Sequence, residues 1–455
     1  MDTALSPEAS PRSTEKTQTA THVRTDTHLW GTYFLLVIVA VIELFSASIQ
    51  KVSDGNIFQP LIQHGAFLFT GLIIMLVFQH IHYRWIYALI PVYVVGCVGL
   101  MVAVHFTGSA AEINDAKRAL HIFGVQLLPA DMLKLAVALG LAWILSRNQE
   151  KIKGKRRDVT VRGFWYCIGF LLVCAGLLFE HGLSNTLIVL VIGFATMLVG
   201  GMSTRKFMLA ALIIGCLGLG GVYYKTHAKA DPAKVERMQR IAELNQENYE
   251  EVVGEGRGTV WIGRIRDHFR PEKYNERFSA EKQQEQLSHI AQARGGLFGV
   301  GVGRSRENAR LPLAYSDYVF AIVIEELGLF AGLLILVTYL WLLGRSFHLT
   351  MQFKQTLPAV LAMGCAFTVV FQALYHMAIV SGFFPVSGQP LPLISRGGIS
   401  VLATSMAFGI MLSVARHAAR VDDTSAEIRS EEKLLPDAAT ADNPALRPTQ
   451  ESEKK

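Results

Sequence analysis

Long apolar stretches separated by short polar ones recur along most of the chain. A helix needs about 20 apolar residues to cross a bilayer. Ten stretches approach this length, at residues 29–49, 63–81, 86–106, 127–146, 163–180, 185–202, 206–225, 318–343, 357–381 and 399–416. This pattern predicts an all-α polytopic membrane protein with about ten transmembrane helices and one large loop, residues 226–317, between spans 7 and 8.

The two ends of the chain lack this pattern. Residues 1–28 are rich in Thr, Ser and charge and contain no continuous apolar run, so they predict a disordered tail and not a signal peptide. Residues 419–455 predict a second disordered tail, which leaves residues 29–418 as the membrane domain.

Composition agrees with a membrane protein. Of the 455 residues, 51% are hydrophobic and only 18% are charged, which excludes an ordinary soluble protein of this length. The five cysteines all fall in apolar spans without CxxC or Cys/His spacing, so they predict core residues, and neither disulfides nor metal ligands.

Basic loops predict the orientation of the spans. Residues 147–162 (RNQEKIKGKRRDVTVR) are densely basic, and residues 82–85, 203–206 and 345–354 also carry Lys or Arg on the same side. Because basic loops collect in the cytoplasm, both tails are expected there and residues 226–317 outside. The net charge of +6 therefore reflects orientation in a membrane and not nucleic-acid binding.

Residues 295–330 combine glycines with charge beside a long apolar run. Alternating glycines free the backbone to approach a bulky ligand, and three arginines offer forks suited to phosphate. These residues are Gly299, Gly301, Gly303, Arg304, Arg306 and Arg310.

Asp317 lies where this loop becomes the eighth predicted span. Its carboxylate suits a general base, or a cap for the helix N-terminus. Glu325 follows eight residues later, about 12 Å along the same predicted helix. Asp317 and Glu325 are therefore expected to face one cavity, with Glu326 pointing elsewhere.

Other polar residues interrupt the apolar spans. Asp131 and Lys134 are spaced to pair on one helix face, either as a structural ion pair or as the lining of a polar cavity. The position of His376 in the ninth apolar span predicts a hydrogen-bonded core histidine more than a catalytic one. Residues 382–398 (GFFPVSGQPLPLISRGG) cannot form a regular helix and predict a re-entrant turn that fixes Arg396 as a cation.

The large loop contains a further periodic segment. Apolar residues recur at helical spacing after Asp231-Pro232 as far as Tyr249. This segment predicts an amphipathic helix that lies on the membrane or on a partner, or else a solvated helix that spaces the loop.

Two motifs carry a family resemblance. The string GGLFGVGVGRSRENARLPLAYSDYVFAIVIEELG (295–328) and the string GFFPVSGQPLPLISRGGIS (382–400) closely resemble the SEDS family of shape, elongation, division and sporulation proteins. The chain resembles its cell-division members more than its elongation members. LLPADMLK (127–134) and SHIAQARGG (288–296) resemble two further elements of the family.

The resemblance implies a peptidoglycan glycosyltransferase that polymerises lipid II at the outer face of the bacterial plasma membrane, at the division septum. It implies a class B penicillin-binding protein and other divisome proteins as partners. No cofactor is certain, although a divalent cation (Mg or Mn) could help. Asp317 maps onto the essential aspartate of the family. The candidate substrate-binding residues are Arg118, Asp131, Lys134, Arg304, Arg306, Arg310, Glu325, Ser395 and Arg396.

The chain departs from the family pattern at several of its motifs. Gly182 and His376 stand where an aspartate and an asparagine are common, and Arg396 replaces a usual aromatic residue. Leu128 and Asp131 replace the Gln and Glu of the QPSE element. A lipid II flippase or another transporter, and a non-catalytic division scaffold, remain alternative functions.

Overall fold

The computed structural model describes residues 25–50, 58–106, 110–113, 116–122, 125–151, 157–179, 182–227, 283–311, 314–385, 387–418, 420 and 443. The amphipathic helix predicted after Asp231, most of the large loop and nearly all of both predicted tails lie outside these residues.

Helices dominate the described part of the chain. Nine of them are long and apolar enough to cross a membrane, and Leu183–Val199 is a shorter apolar helix. The prediction of a polytopic helical membrane protein is confirmed. The twelve described helices are α1 Thr27–Gln50, α2 Phe58–His80, α3 Tyr83–Phe106, α4 Pro129–Arg147, α5 Val161–Phe179, α6 Leu183–Val199, α7 Thr204–His227, α8 Gln283–Gly295, α9 Val319–Leu327, α10 Leu329–Gln352, α11 Thr356–Val380 and α12 Gly398–His417.

Two small antiparallel sheets lie in connections for which the sequence pattern predicts only loops. β1 (Ala110–Ile113), β2 (Ala116–Ile122) and β3 (Val125–Leu127) join α3 to α4. β4 (Gln149–Lys151) and β5 (Arg157–Val159) join α4 to α5. Asp158 fastens this second hairpin, because it accepts hydrogen bonds from Lys206 Nζ at 2.7 Å and from the Ser203 amide at 2.9 Å. Burial opposes the charged form of Asp158, but these hydrogen bonds outweigh it and lower the pKa of the carboxyl.

The helices divide into an inner and an outer set. In the most apolar stretch of each helix, 89% of the residues are buried in α11 and 83% in α4 and in α12, but only 11% in α7. Outer helices point apolar side chains such as Val92 and Leu219 away from the protein. This arrangement suits a bilayer, where lipid tails solvate the outer surface and backbone polar groups are satisfied within each helix.

Small residues allow α2 and α12 to pack closely. A Cβ atom at Gly409 would lie 2.8 Å from the Met75 carbonyl oxygen, and one at Gly71 would lie 2.6 Å from Ser405 Oγ. Ser405 also bonds to the Tyr33 hydroxyl of α1 at 3.1 Å. Close approach of this kind replaces hydrophobic burial as the force that holds helices together in lipid.

The single helix predicted over residues 318–343 is wrong. The chain breaks at Gly328, where φ is 87°, into the nine-residue α9 and the longer α10. The end of α9 is satisfied from outside the helix, since the amides of Val300 and Gly301 donate to the carbonyl oxygens of Glu325 and Glu326, both at 2.9 Å. A helix break inside a membrane protein is tolerated when other groups of the protein donate hydrogen bonds to the carbonyl oxygens at the end of the helix.

The glycine-rich stretch after α8 packs against α9. A Cβ atom at Gly299 would lie 2.2 Å from the carbonyl oxygen of Glu326, and one at Gly295 would lie 2.0 Å from that of Ile324. The Gly303 amide donates to Glu326 Oε2 at 3.1 Å. In this structure Gly299 makes room for the backbone of α9, so the expected close approach of a bulky ligand at this glycine is wrong.

Glu325 and Glu326 are both buried and both hold other segments. Glu325 accepts from Arg294 Nη1 at 2.6 Å, from the Arg306 amide at 3.0 Å and from the Ser305 hydroxyl. Glu326 accepts from the hydroxyl of Ser46 in α1. The expectation that Glu325 faces one cavity with Asp317 along a single helix is therefore wrong, because α9 begins only after Asp317 and both carboxylate oxygens of Glu325 have protein donors.

Two described positions of the predicted C-terminal tail contact the bundle. The Arg420 guanidinium donates to the Ala415 carbonyl at 3.2 Å, and Arg420 forms a backbone bridge with Phe353. Asn443 is buried, and its side-chain amide donates to the carbonyl oxygens of Thr350 at 2.6 Å and Phe353 at 2.8 Å. Its own backbone amide donates to Lys354 at 2.7 Å. These bonds satisfy carbonyls at the C-terminal end of α10.

Gly409→Ala tests the packing of α2 against α12. The added methyl group meets the Met75 backbone, so the two helices must separate, at a cost of about 1–3 kcal/mol. We expect a lower midpoint of thermal unfolding in detergent. Gly96→Ala in α3 is the control, because a Cβ atom there meets nothing within 4 Å. Equal midpoints for the two variants would contradict the packing described.

Gly299→Ala tests how the glycine-rich stretch packs against α9. The methyl group overlaps the Glu326 carbonyl and the position has φ of 78°, so we expect loss of the fold around α9, seen as faster proteolysis within residues 295–306. Gly296→Ala is the matched control. It also has a positive φ, of 54°, but open space around it, so it should cost only about 1–2 kcal/mol of backbone strain. Proteolysis that is equally fast in both variants would show that strain alone matters.

Candidate active site

An irregular segment between α11 and α12 forms the floor of the candidate site. Residues 387–397 contain no helix or strand, and Leu393 adopts φ of 65°, which is unusual for a residue with a side chain. The buried Tyr339 hydroxyl donates to the Pro392 carbonyl at 2.5 Å. We call this segment the polar floor. Its backbone needs such partners because it lies between helices of the bundle.

Lys134 of α4 holds the polar floor from within the bundle. The side chain is fully buried and donates to Asp131 at 2.8 Å and to Gln389 Oε1 at 2.8 Å. Gln372 Oε1 lies 3.4 Å away as a third acceptor. The predicted Asp131–Lys134 ion pair is confirmed, and the pair also binds a loop, as a buried charge must when water is excluded.

Gln389 links Lys134 to two further helices of the bundle. Its side-chain amide donates to Asn185 Oδ1 of α6 at 2.9 Å, and its backbone carbonyl oxygen lies 2.6 Å from His376 Nδ1. His376 is therefore a buried, hydrogen-bonded core histidine, as its sequence context predicts. Gln389, Gln372 and Asn185 are not among the residues that the sequence pattern predicts for the site. Amide side chains within or beside apolar spans are the signal that could have identified them.

The far end of the polar floor carries residues 315–317. Ser395 Oγ donates to the Ser316 carbonyl at 2.7 Å and accepts from the Leu391 amide at 2.7 Å. The Arg396 amide donates to the Tyr315 carbonyl at 3.0 Å, and the Arg396 guanidinium lies 5.4 Å from the centre of the Tyr315 ring. Two consecutive residues of the floor thus fix the backbone immediately before Asp317.

Asp317 lies over the polar floor with its carboxylate towards Gly388. A Cβ atom at Gly388 would lie 2.8 Å from Asp317 Oδ2, so any larger residue there would press on the carboxylate. The Ser316 hydroxyl donates to Oδ1 at 2.8 Å, and the side chain is partly exposed. Tyr318, and not Asp317, occupies the N-cap position of α9. Gly388 precedes Gln389, so the carboxylate lies one residue from the partner of the buried Lys134 cation.

The predicted arginines have different surroundings. Arg304, Arg306 and Arg310 lie in the exposed stretch before residues 314–317, and Arg310 is 3.7 Å from Glu307. Burial lowers the pKa of the Arg396 guanidinium, an effect that the neighbouring Tyr315 opposes. A guanidinium stays charged in proteins nonetheless, so Arg396 is a cation held over the ring of Tyr315, two residues before Asp317. The side chain of Arg118 lies outside the described residues.

The structure thus brings together the predicted residues Asp317, Ser395 and Arg396, with Asp131 and Lys134 beneath them. Within the described ranges, no group of three or more His, Cys, Asp or Glu residues is placed to hold a metal ion. The arrangement offers one partly exposed carboxylate above a rigid polar layer, with cations to one side and below. Such a set suits a reaction that removes a proton near a phosphate group.

Known proteins share both the sequence and the fold. The family model of FtsW, RodA and SpoVE, described as cell cycle proteins, matches residues 26–258 and 260–420. A probable peptidoglycan glycosyltransferase FtsW of Geobacter metallireducens is 27% identical over 83% of this chain and 91% of its own length. Another from Tolumonas auensis is 28% identical over 86% and 91%. The stage V sporulation protein E of Bacillus subtilis is 26% identical over 84% and 94%.

Two solved structures resemble the fold at low sequence identity. A chain of a peptidoglycan synthase complex that coordinates polymerization and crosslinking has a TM-score of 0.61 and 22% identity, covering 88% of this chain and 99% of its own. The rod shape determining protein RodA of Thermus thermophilus has a TM-score of 0.57 and 20% identity, covering 88% and 98%. Because the family model matches nearly the whole membrane domain, this chain belongs to the FtsW, RodA and SpoVE family of cell cycle proteins, the SEDS family that its motifs resemble.

Proposed function

We propose that this membrane protein is a peptidoglycan glycosyltransferase that polymerises lipid II at the outer face of the plasma membrane during cell division. The observation that carries the proposal is the position of Asp317. Its carboxylate faces Gly388 on a polar floor that Lys134 holds and that ends in the Arg396 cation. The family relatives named as peptidoglycan glycosyltransferases support the same activity.

The chemistry assigns a role to each part of the site. Lipid II carries its sugar on a pyrophosphate linked to a polyprenyl chain. Asp317 removes the proton from the attacking sugar hydroxyl, while cations offset the charge that develops on the leaving pyrophosphate. Arg396 is the candidate cation that contacts Tyr315 in the described structure, and Arg304, Arg306 and Arg310 complete the proposed basic rim. Apolar helix faces accommodate the polyprenyl chain. A divalent cation (Mg or Mn), which would help to offset the charge of the pyrophosphate, stays a prediction.

The proposed role of Asp317 as a general base also explains the need for the polar floor. Catalytic groups must stay within about 1 Å of their working positions, and Asp317 itself lies on an irregular segment. Ser395 and Arg396 fix the carbonyls of Ser316 and Tyr315. We assign Ser395, Asp131 and Lys134 to this positioning task and not to direct contact with substrate, and we assign Glu325 to anchoring residues 294–306.

The partner that we propose is a class B penicillin-binding protein, which would crosslink the glycan strands made here. A chain of similar fold belongs to a peptidoglycan synthase complex that coordinates polymerization with crosslinking. The similarity of sequence to proteins named FtsW supports a role at the division septum with other divisome proteins. Co-purification of the two proteins in mild detergent tests the partnership.

The proposed outer location of the site is open to a direct test. In a cysteine-free background, Lys153→Cys and Glu247→Cys lie in loops of opposite predicted sides. An impermeant thiol reagent applied to intact spheroplasts should label Glu247→Cys alone, and both variants should react after lysis. Labelling of Lys153→Cys in intact spheroplasts would place Asp317 on the cytoplasmic side and contradict the proposed reaction.

Asp317→Asn separates a catalytic carboxylate from a structural one. The amide keeps the size of the side chain but cannot take up a proton, so lipid II polymerisation should fall by about 10² to 10⁴. Thermal stability and binding of the partner should stay near those of the wild type. The measurement is glycan polymer formed from purified lipid II by the complex.

Asp26→Asn is the matched control for this experiment. Asp26 pairs with Arg345 at 2.8 Å, at the end of α1 remote from the site. The variant loses a buried carboxylate of equal size, so it tests whether such a loss alone reduces activity. Wild-type polymer synthesis by a folded Asp317→Asn protein, or an equal loss in Asp26→Asn, would exclude Asp317 as the base.

A further inference from the structure

A small, partly open cavity adjoins the candidate active site on the side of α1 and α2. Its volume is about 20 Å³, which is enough for one water molecule. Its polar lining comes from five side chains, and apolar residues such as Val319 and Ile394 form the rest. The five polar residues are Glu43, His64, Asn308, Tyr315 and Arg396.

Glu43 and His64 are unusual members of this lining. Glu43 of α1 is 4% exposed and His64 of α2 is 2% exposed, and both lie within apolar spans. Among the residues that the structure describes, neither Glu43 Oε1 nor His64 Nδ1 has a hydrogen-bond partner. An unpaired buried polar atom costs about 1–3 kcal/mol, and ionisable groups at membrane depth are usually kept for function.

The cavity connects these two residues to Arg396. The guanidinium of Arg396 lies above the Tyr315 ring, which also lines the cavity, and its Nη2 donates to Gln63 at 3.4 Å, beside His64. Asp317 follows Tyr315 by two residues. A change in the polar content of the cavity would therefore reach the Arg396 cation, and through Tyr315 the segment that carries Asp317.

The content of the cavity follows from its lining. A metal ion is disfavoured, because the Arg396 cation faces the same space and the described residues provide no third acidic or imidazole ligand. A water molecule accepts from a guanidinium and donates to a carboxylate or an imidazole nitrogen. It can thus bond to both unpaired atoms in turn, and a buried water typically makes about three such bonds.

The geometry points to Glu43 and His64 as positioning residues that hold the Arg396 guanidinium through one water molecule in this cavity. The inference rests on the proposed function, since the task of Arg396 there is to bind the pyrophosphate.

The first test replaces each residue by an apolar one. Glu43→Leu and His64→Leu remove an unpaired buried polar group, so the thermal midpoint in detergent should stay the same or rise. Activity should fall nonetheless, with kcat for lipid II polymerisation reduced on the order of tenfold and KM changed less. Phe45→Leu is the control, because Phe45 lies in the same helix, 60% exposed on the outer surface.

Rescue and coupling distinguish positioning from a general structural effect. His64→Asn places an amide near the position of Nδ1 and should restore most of the activity, whereas His64→Gln places it near Nε2 and should not. In an Arg396→Gln background, Glu43→Leu should have little further effect, because the residue through which it acts has gone. Additive losses, failure of His64→Asn to restore activity, or a thermal midpoint that falls together with activity would overturn the inference.

Binding of undecaprenyl diphosphate provides a readout that does not depend on turnover. We expect Glu43→Leu to weaken its binding about tenfold relative to the wild type and to Phe45→Leu. A wild-type protein that binds this lipid but makes no glycan contradicts the proposed function alone. Equal dissociation constants in the wild type and Glu43→Leu contradict the role of Glu43 alone, and a wild type that does not bind the lipid contradicts both.

Discussion

The buried Lys134 cation is the constraint on which the site depends. A charge within a helical bundle in lipid is stable only when acceptors surround it, and here the acceptors come from α4 itself, from α11 and from the polar floor. The irregular segment after α11 therefore has a fixed depth in the bundle. Because Gln389 is one of the acceptors, Gly388 and the carboxylate above it take their places from the same cation.

The buried carboxylates of Glu325 and Glu326, at the end of α9, hold a second group of segments in place. The break at Gly328 ends α9 inside the protein, and the amides of Val300 and Gly301 bond to its last carbonyls. Glu325 and Glu326 then use their side chains to hold Arg294, Ser305 and α1. The adjacent carboxylates, of which Glu325 was a candidate substrate-binding residue, thus serve as anchors, whereas the carboxylate of Asp317 stays partly exposed.

This division of labour fits the proposed polymerisation of a large lipid-linked substrate. Such a substrate needs an open approach from the membrane, and the groups proposed to meet it lie on irregular segments and not within long helices. Irregular segments lose precision unless their backbone is fixed by buried partners. The polar floor and the anchoring glutamates supply that support, and the cavity beside α1 extends it to Arg396.

The sequence by itself determined the class of protein, most of the membrane helices, the Asp131–Lys134 pair and the candidacy of Asp317, because each depends on local pattern or spacing. It could not determine the break at Gly328, since a run of apolar residues continues through it. Nor could it show that Gly299 meets the backbone of α9, or that Glu325 reaches Arg294, because these partners lie about 30 residues apart in the chain. Gln389 and Glu43 were visible as polar residues beside or within apolar runs. Only the tertiary structure decided that one binds Lys134 and the other faces Arg396, because the solvation of a buried polar atom depends on which distant segments pack around it.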